Sequence, residues 1–465
     1  MTFDPSLRPA VHFTPRRNWL NDPNGLIWHD GEYHLFFQHN PDDVVWGNMS
    51  WGHAVSPDLV SWTELPLALR YDESEHVFSG CVVSDADNSS RLGSASQPPL
   101  VAVYTSHDPD TRRQAQSLAV SRDRGRTWER YAGNPVLDLA SSEFRDPKVF
   151  RHGDKWVMAV ALADKRVVRF YRSADLLSWV WLSDFGPAGS VDGVWECPDL
   201  IRVPVEGSDS TAWVLLVSVG DGAPAGGSGM QYFAGDFDGT TFTADGEALW
   251  LDHGADFYAA VSYAGLTDPV IHGWMSNWAY ANEVPAGEFR GSTTLPRRLT
   301  LRQSGTDLVL VQRPIEVEPA GPSYVLSGVT IDGRLPLPVA HRSARIAAEF
   351  AAGPAARVGL EVRVGDGERT VITVDRVAGT VSLDRSQSGV SDFHPGFASV
   401  HSAPLAAGDV VRLEVWVDVA SIEVFAGDGE VVLTDQIFPS PHSTGLAVFA
   451  EGGVAVLTSL KVTPL

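Results

Sequence analysis

Asp22 lies in the stretch of the chain with the clearest chemical signature, residues 18–25 (NWLNDPNG). Asp-Pro-Asn-Gly favours a turn, because Asp can accept a backbone hydrogen bond, Pro presets φ and Asn-Gly tolerates positive φ. Two strand-like runs follow, joined by the hairpin signal Asp30-Gly31. The sequence therefore places a carboxylate just before a sheet, among Trp, Asn and Gln side chains that suit a polyhydroxyl ligand. Asp22 is a candidate nucleophile.

A second carboxyl group could complete the chemistry of glycoside hydrolysis. That reaction usually needs one ionised carboxylate to attack the anomeric carbon and one protonated carboxyl to donate to the leaving oxygen. Asp22 adjoins polar Asn21, which favours its charged form. Glu196 lies between Trp195 and Cys197, where desolvation would raise its pKa. We therefore expect Asp22 to be the nucleophile and Glu196 to be the acid/base.

Asp146 is a third carboxylate and directly follows Arg145. An isolated Arg-Asp-Pro is more often a surface ion pair at a turn, but its spacing from the other two carboxylates favours a functional role. Ionised beside Arg145, Asp146 would accept hydrogen bonds from two adjacent sugar hydroxyls. We expect it to stabilise an oxocarbenium-like transition state without bonding to the sugar.

A degenerate Asp-plus-aromatic repeat runs through the first 300 residues. Its copies are residues 56–62, 121–128, 173–179 and, more loosely, 236–242. Their spacing of about 50 to 65 residues is somewhat longer than the repeats of known β-propellers. We expect the repeated Asp to fix a hairpin turn and the aromatic ring to pack between blades.

Polar or acidic clusters recur in step with this repeat, at residues 21–22, 78–80, 145–147, 195–199 and 256–258. The innermost strands of a propeller line a central channel, so equivalent positions of successive blades face one funnel. Long helical periodicity is hard to find, whereas short alternating runs rich in Val, Tyr, Trp and Phe are frequent. These patterns predict an all-β fold with five blades around one pocket.

The character of the sequence changes after residue 300. Residues 301–322 are predicted to be a linker, and residues 323–465 contain Val-, Ala- and Gly-rich strands with turn signals every 8 to 12 residues. We therefore predict a five-bladed β-propeller catalytic domain at 1–300 and a β-sandwich domain at 323–465. No dense acidic or aromatic cluster lies in the second domain, so we expect it to have a packing role.

Composition limits the classes of partner. The chain has 465 residues, with 35 Lys plus Arg against 58 Asp plus Glu, for a formal net charge of −23. Such a chain repels nucleic-acid backbones and anionic membranes, so a neutral substrate fits best. Two cysteines cannot form a four-thiolate metal site, and no histidine spacing suggests a metal. Residues 1–5 lack a signal-peptide pattern, which predicts a cytoplasmic location unless a signal has been removed.

The ordered set of motifs resembles glycoside hydrolase family 32, the β-fructosidases. The motifs are WLNDPNG, FFQHNP, WGNMSWGHAVSPDLVSW, FSG, FRDPKVF, WECPDL and RGSTTLPRRLTL. The resemblance runs along essentially the whole chain, because residues 384–386, 420–425 and 437–439 are similar to that family's C-terminal sandwich. Each motif alone is weak evidence of kinship, but together they are very specific.

The resemblance implies a five-bladed propeller plus sandwich, a retaining mechanism through a fructosyl-enzyme intermediate, and no metal or organic cofactor. Asp22 matches the family's nucleophile, Glu196 its acid/base and Asp146 its transition-state stabiliser. Residues around the terminal fructose match Asn21, Gln38, Trp46, Phe78, Ser79 and Arg145. Tyr258 and Trp278 lie in segments most similar to the exo-acting levanase and inulinase branch, and we count them as candidate substrate-binding residues.

The expected activity is therefore removal of terminal β-D-fructofuranosyl units from levan, inulin, fructo-oligosaccharides and sucrose. Three alternatives remain open on the sequence: a fructosyltransferase with the same intermediate, an invertase restricted to sucrose, and a non-catalytic fructan-binding protein. Residues 121–128 also fit the Asp-box of sialidases, but an acidic chain suits a neutral sugar better. Linkage preference and oligomeric state leave no readable trace.

Overall fold

The computed structural model describes residues 7–94, 96–406 and 408–465. Residues 1–5, on which the prediction about a signal peptide depends, lie outside the described residues. Within the described part, the chain forms 34 strands and the short 3-10 turns Ala163–Lys165 and Gly427–Gly429. No helix there is long and apolar enough to cross a membrane. The same residues contain no group of three His, Cys, Asp or Glu side chains placed to hold a metal ion.

Residues 18–314 build five mainly antiparallel sheets, which are the blades of a propeller. Blade 1 contains β1 (Asn18–His29), β2 (Glu32–Asn40), β3 (Ser50–Ser56) and β4 (Thr63–Leu69). Blade 2 contains β5 (His76–Ser84), β6 (Leu100–His107), β7 (Gln114–Ser121), β8 (Glu129–Arg130) and β9 (Leu137–Ser141). Blade 3 contains β10 (Phe144–His152), β11 (Lys155–Leu162), β12 (Val167–Ser173) and β13 (Val180–Phe185).

Two further blades close the ring. Blade 4 contains β14 (Trp195–Pro204), β15 (Thr211–Val219), β16 (Gly229–Phe237), β17 (Phe242–Ala244) and β18 (Leu249–Trp250). Blade 5 contains β19 (Tyr258–Ser262), β20 (Val270–Trp274), β22 (Arg297–Ser304) and β23 (Asp307–Pro314), while β21 (Phe289–Arg290) pairs in parallel with β1. The inner strands β1, β5, β10, β14 and β19 contact their neighbours in turn around one axis. The predicted five-bladed propeller is therefore confirmed.

The Asp-plus-aromatic repeat forms the same turn in successive blades. Asp58 accepts hydrogen bonds from the backbone N–H groups of Val60 and Ser61, and the Trp62 indole donates to a carbonyl of the same turn. The copies at 123–128 and 175–179 repeat this pattern. Trp128 then packs edge-on against Phe36 of blade 1, with ring centroids 5.5 Å apart. The repeat thus shapes turns and joins blades, as its residue types predict.

The structure differs from the predicted domain boundary. Strands β22 and β23 cover most of residues 297–314, pair with each other and complete blade 5. The sequence placed the start of a linker at residue 301 because tryptophans and polar clusters cease there. Strands β22 and β23 contain no tryptophan and none of the recurring polar clusters, so their residues did not mark them as part of a blade.

The C-terminal domain is a β-sandwich whose two sheets share a long strand. Its strands are β24 (Tyr324–Leu326), β25 (Val329–Ala340), β26 (Ala344–Ala351), β27 (Arg357–Val364), β28 (Arg369–Asp375), β29 (Thr380–Gln387), β30 (Val400–Pro404), β31 (Val410–Asp418), β32 (Ser421–Ala426), β33 (Val431–Gln436) and β34 (Gly445–Pro464). The first half of β34 pairs with β27 and its second half with β26. Between the halves, Gly452 adopts φ +70°, where a side chain is disfavoured, and the strand passes from one sheet to the other.

Buried ionic contacts fasten the sandwich to the propeller. His12 Nδ1 lies 2.7 Å from Asp418 Oδ2, and His12 Nε2 lies 2.8 Å from Glu423 Oε1. Arg297 of blade 5 donates to the same Glu423 at 2.6 Å and to Asp252 at 3.0 Å. All five side chains are almost wholly buried. A buried charge that loses its partner is strongly destabilising, so neither domain is stable without the partners that the other supplies. We therefore expect the two domains to unfold together.

His12 makes this contact sensitive to pH. Burial works against its protonation, but hydrogen bonds to Asp418 and Glu423 raise the pKa of His12 from 6.5 to about 9. A pKa that is higher in the folded state stabilises fully below pH 6.5, and the stabilisation is lost as pH rises through 9. The contribution is on the order of 3 kcal/mol.

We predict that His12→Gln lowers the thermal midpoint at pH 6 and flattens its fall between pH 6.5 and 9, because Gln cannot carry the charge that the two carboxylates stabilise. The midpoint is followed by differential scanning calorimetry at several pH values. His442→Gln, at an exposed site, is the matched control and should behave as the wild type. Parallel pH profiles for His12→Gln and the wild type would contradict the charged bridge.

Candidate active site

Each inner strand of the propeller has a two-residue bulge at the same end of the funnel. In every case two residues of the inner strand oppose one residue of its neighbour, at residues 21–22, 78–79, 146–147, 197–198 and 259–260. A bulge bends its strand and redirects side chains. It also tolerates proline, which explains Pro147 and Pro198 in the middle of inner strands. The five bulges therefore aim side chains from all blades toward one place.

A cleft of about 650 Å³ opens above these bulges. Its walls include ten of the eleven residues singled out from the sequence: Asn21, Asp22, Gln38, Trp46, Phe78, Ser79, Arg145, Asp146, Glu196 and Trp278. They come from blades 1 to 4 and from the segment that follows β20. The structure thus brings together residues that are up to 257 positions apart in the chain.

Asp22 lies at the floor of the cleft and is held by two donors. Asn21 Nδ2 donates to its Oδ1 at 2.8 Å, and Ser79 Oγ donates to its Oδ2 at 2.7 Å. Burial raises the pKa of Asp22 to about 6, and the hydrogen bond from Ser79 opposes the rise. Asn21 favours the charged form, as expected from the sequence, but loss of bulk solvent has the larger effect on the pKa of Asp22.

Glu196 accepts a hydrogen bond on each of its two carboxylate oxygens. Arg145 Nε donates to its Oε1 at 2.9 Å, and the Tyr258 hydroxyl donates to its Oε2 at 2.6 Å. The flanking Trp195 packs away from the cleft against Phe233, since successive residues of a strand point to opposite faces. The surroundings of Glu196 are thus set by Arg145 and Tyr258 rather than by its neighbours in the sequence.

Asp146 faces Asp22 across the thiol of Cys197. The backbone N–H of Cys197 donates to Asp146 Oδ2 at 3.0 Å, and the Cys197 Sγ lies 3.7 Å from carboxylate oxygens of both Asp146 and Asp22. Burial raises the pKa of Asp146, and the charge of Glu196 adds to the rise while Arg145 opposes it. Arg145 donates its own hydrogen bonds to Glu196, Glu143 and Gln114, so its effect on Asp146 is through its charge.

Aromatic and amide side chains form the walls. Gln38 donates to the carbonyl of Val77, which fixes its amide between blades 1 and 2. Phe78 stacks on His107 with ring centroids 4.5 Å apart, and the exposed ring of Trp46 meets Phe78 edge-on. Half-buried Trp278 also lines the cleft. Flat rings beside hydrogen-bonding groups suit a sugar.

Several predicted positions lie elsewhere. Tyr258 is buried behind Glu196 and holds it, rather than lining the cleft. Asp256, from the fifth polar cluster, faces the sandwich and pairs with Arg385 at 2.6 Å. Trp19, Trp51 and Trp274 are fully buried and belong to the core.

The rim of the cleft and the Cys197 thiol beside the carboxylates were not predicted from the sequence. The rim is formed by His107, Pro109, Arg112, Gln114, Ser142 and Glu143, which belong to blade 2 or to the residues just before β10. No motif marks them. Cys197 precedes Pro198 just as Asp146 precedes Pro147, and this shared pattern could have identified its place beside the carboxylates.

Comparison with known proteins decides the family. The model of the glycosyl hydrolases family 32 N-terminal domain matches residues 12–314, and the model of that family's C-terminal domain matches residues 302–464. The chain belongs to glycosyl hydrolase family 32. It is 45% identical to a levanase of Bacillus subtilis (strain 168), over 100% of this chain and 71% of that protein. It is 39% identical to an extracellular exo-inulinase of Aspergillus awamori, over 97% of this chain and 93% of that protein.

Solved structures of the family have the same fold. The crystal structure of exo-inulinase from Aspergillus awamori superposes with a TM-score of 0.94 at 38% identity, over 100% of this chain and 99% of that one. Fructofuranosidase from Schwanniomyces occidentalis complexed with fructose gives 0.93 at 31% identity, over 100% and 99%. This family 32 protein is therefore a glycoside hydrolase that acts on fructosides, and the predicted family and fold are confirmed.

We predict that Ser79→Ala moves the acidic limb of the kcat/KM profile to higher pH. The limb of the wild type should lie near the Asp22 pKa of about 6, because kcat/KM reports ionisation in the free enzyme. Loss of the Ser79 hydroxyl removes a hydrogen bond that favours the carboxylate, so Asp22 keeps its proton to higher pH. Rates of fructose release from sucrose between pH 4 and 8 test this.

Ser106→Ala is the matched control, because Ser106 pairs with Ser117 in blade 2 and does not line the cleft. It should leave the acidic limb where it is. A limb that stays fixed in Ser79→Ala, or that moves equally in both variants, would contradict the role of the Ser79 hydroxyl.

Proposed function

We propose that this protein is a retaining exo-β-fructosidase that releases terminal non-reducing β-D-fructofuranosyl units from levan, inulin, fructo-oligosaccharides and sucrose. The observation that carries the proposal is the convergence of Asp22, Asp146 and Glu196 on the floor of one cleft. The similarity to a levanase and to exo-inulinases supports the choice of substrates.

The depth of the cleft supports attack at a chain end. Below the three carboxylates the central channel narrows to a cavity of about 10 Å³, which has room for about one water molecule. A fructan chain could not thread past the carboxylates through this channel. A terminal fructose entering from the open side would reach the floor first.

In the first step, an Asp22 oxygen attacks the anomeric carbon of the terminal fructose while the glycosidic C–O bond breaks. Glu196 gives its proton to the leaving oxygen, so the aglycone departs as a neutral alcohol. Asp146 accepts hydrogen bonds from hydroxyls of the sugar as positive charge develops. In the second step, water gives a proton to Glu196 and attacks the same carbon, which releases fructose and frees Asp22.

Two residues position the acid/base in this mechanism. Arg145 and Tyr258 each donate to one oxygen of Glu196, which fixes the plane of the carboxyl group. A fixed carboxyl can meet the leaving oxygen without reorganisation, which is the main benefit of a preorganised site.

We predict that Asp22→Asn and Glu196→Gln each lower kcat by about three orders of magnitude or more, because one loses the nucleophile and the other the proton donor. Thermal midpoints should remain close to that of the wild type. Azide should partly rescue Glu196→Gln, since it can attack the fructosyl-enzyme without a general base. Exposed Glu318→Gln is the control and should keep full activity. Near-normal turnover in Asp22→Asn would contradict the nucleophile assignment.

Product analysis tests the substrate range. Sucrose, inulin and levan are incubated separately with the protein, and the early products are separated by chromatography, with Asp22→Asn as a blank for contaminating activity. We expect fructose as the sole early product of both polymers. Early oligosaccharides from the polymers would contradict exo-attack, and release from sucrose alone would indicate an invertase. Kestose-type products in excess of fructose would indicate a transferase, and no release at all a binding protein.

A further inference from the structure

Three consecutive blades carry a strained residue in the bulge next to the site. Asp146, Cys197 and Ala259 have φ values of 65°, 46° and 50°. Residues with a side chain seldom adopt this region, and they do so only where the surrounding structure enforces it. The strands concerned are β10, β14 and β19, which also carry Arg145, Glu196 and Tyr258. The positions of the acidic groups therefore depend on whatever holds these bulges.

A buried polar contact joins the same three strands directly beyond the bulges. Lys148 of β10 lies 2.9 Å from an oxygen of Asp199 in β14. The Lys148 ammonium also donates to the carbonyl and the hydroxyl of Ser262 in β19, at 2.7 and 2.9 Å. The backbone N–H of Ser262 donates to Asp199 at 2.6 Å. We call Lys148, Asp199 and Ser262 the clasp.

The clasp lies under the catalytic floor and outside the cleft. Lys148 lines the small cavity beneath the carboxylates together with Asp146 and Cys197, and no clasp residue lines the cleft. It crosses from blade 3 to blade 5, so one side chain spans the central channel. Substrate in the cleft cannot touch it. Any influence on the reaction must pass through the strands it joins.

Stability alone does not account for the clasp. Asp199 is fully buried, and in the part of the chain that the structure describes its second oxygen has no hydrogen-bond partner. Buried ion pairs contribute no more to stability than well-packed apolar side chains of similar volume, and often less. An apolar pair would fill this position at least as well. An apolar pair could not specify the geometry of the three bulges, because apolar contacts have no preferred direction, whereas hydrogen bonds do.

We propose that the clasp is a positioning device for the reaction: by tying β10, β14 and β19 together it keeps Asp146 and Glu196 in the arrangement that the transition state requires. This rests on the proposed function. The three residues are positioning residues, because none of them contacts the substrate. Small displacements of catalytic groups cost rate more than affinity, so the effect should fall on kcat.

The test is the double variant Lys148→Met/Asp199→Leu, which removes both charges and leaves no unpaired ion. We expect a thermal midpoint equal to or above that of the wild type, a kcat on sucrose lower by about 10- to 100-fold, and a KM changed by less than about threefold. A merely structural clasp would lower the midpoint and leave kcat per folded molecule unchanged. An unchanged kcat in the folded double variant would overturn the proposal.

Ser262→Ala keeps the test decisive if the double variant does not fold. It removes only the hydroxyl that accepts from Lys148, and we expect a several-fold fall in kcat with an unaltered midpoint. The control is Ser388→Ala, a buried serine of the sandwich that hydrogen-bonds Thr370 and should leave kcat unchanged. Equal kcat in Ser262→Ala and the wild type would overturn the clasp. Absence of fructose release by the wild type would instead overturn the proposed function.

Discussion

Asp22, Asp146 and Glu196 repel one another at the floor of the cleft, and much of the surrounding structure serves to hold them there. Burial and mutual repulsion raise the pKa values of Asp22 and Asp146. Against this, the site supplies donors: Ser79 to Asp22, a backbone N–H to Asp146, and Arg145 to Glu196. For Asp22 and Asp146 the balance leaves the charged and protonated forms close in free energy near neutral pH.

The propeller makes this crowding possible because its five inner strands surround a common axis. A flat sheet would place residues of neighbouring strands side by side along one surface, whereas radial blades bring them together at one point. The bulges bend the inner strands locally and redirect their side chains into the funnel. Their backbone strain is local, and the contacts between blades oppose it.

The sandwich contributes to the site only indirectly. Asp256 lies two residues before the inner strand of blade 5 and pairs with Arg385 of the sandwich. Tyr258, the first residue of that strand, donates a hydrogen bond to Glu196. The backbone N–H of Asp256 also donates to the carbonyl of Thr434 in β33. The sandwich thus supports blade 5 close to the residue that holds Glu196. Its packing role stays a prediction, and these contacts give it a physical basis.

What the sequence by itself determined was local and repetitive. The Asp-plus-aromatic turns follow from hydrogen-bonding capacity within a few residues, and the five polar clusters that recur in step with them predicted the number of blades. The ordered set of motifs was enough to predict the family, and WLNDPNG, FRDPKVF and WECPDL contain the three candidate carboxylates. Residues 301–314 complete blade 5 although they were predicted to lie in a linker, because they carry neither a tryptophan nor one of the recurring polar clusters.

The tertiary structure alone decided how the groups act on one another. Arg145 adjoins Asp146 in the chain yet donates to Glu196, Tyr258 holds Glu196 from behind, and Cys197 lies between two carboxylates. Lys148, unremarkable in the sequence, reaches across the channel to Asp199 and Ser262. Each of these contacts joins different blades. Their geometry depends on the angle between radial sheets, which no local pattern of residues encodes.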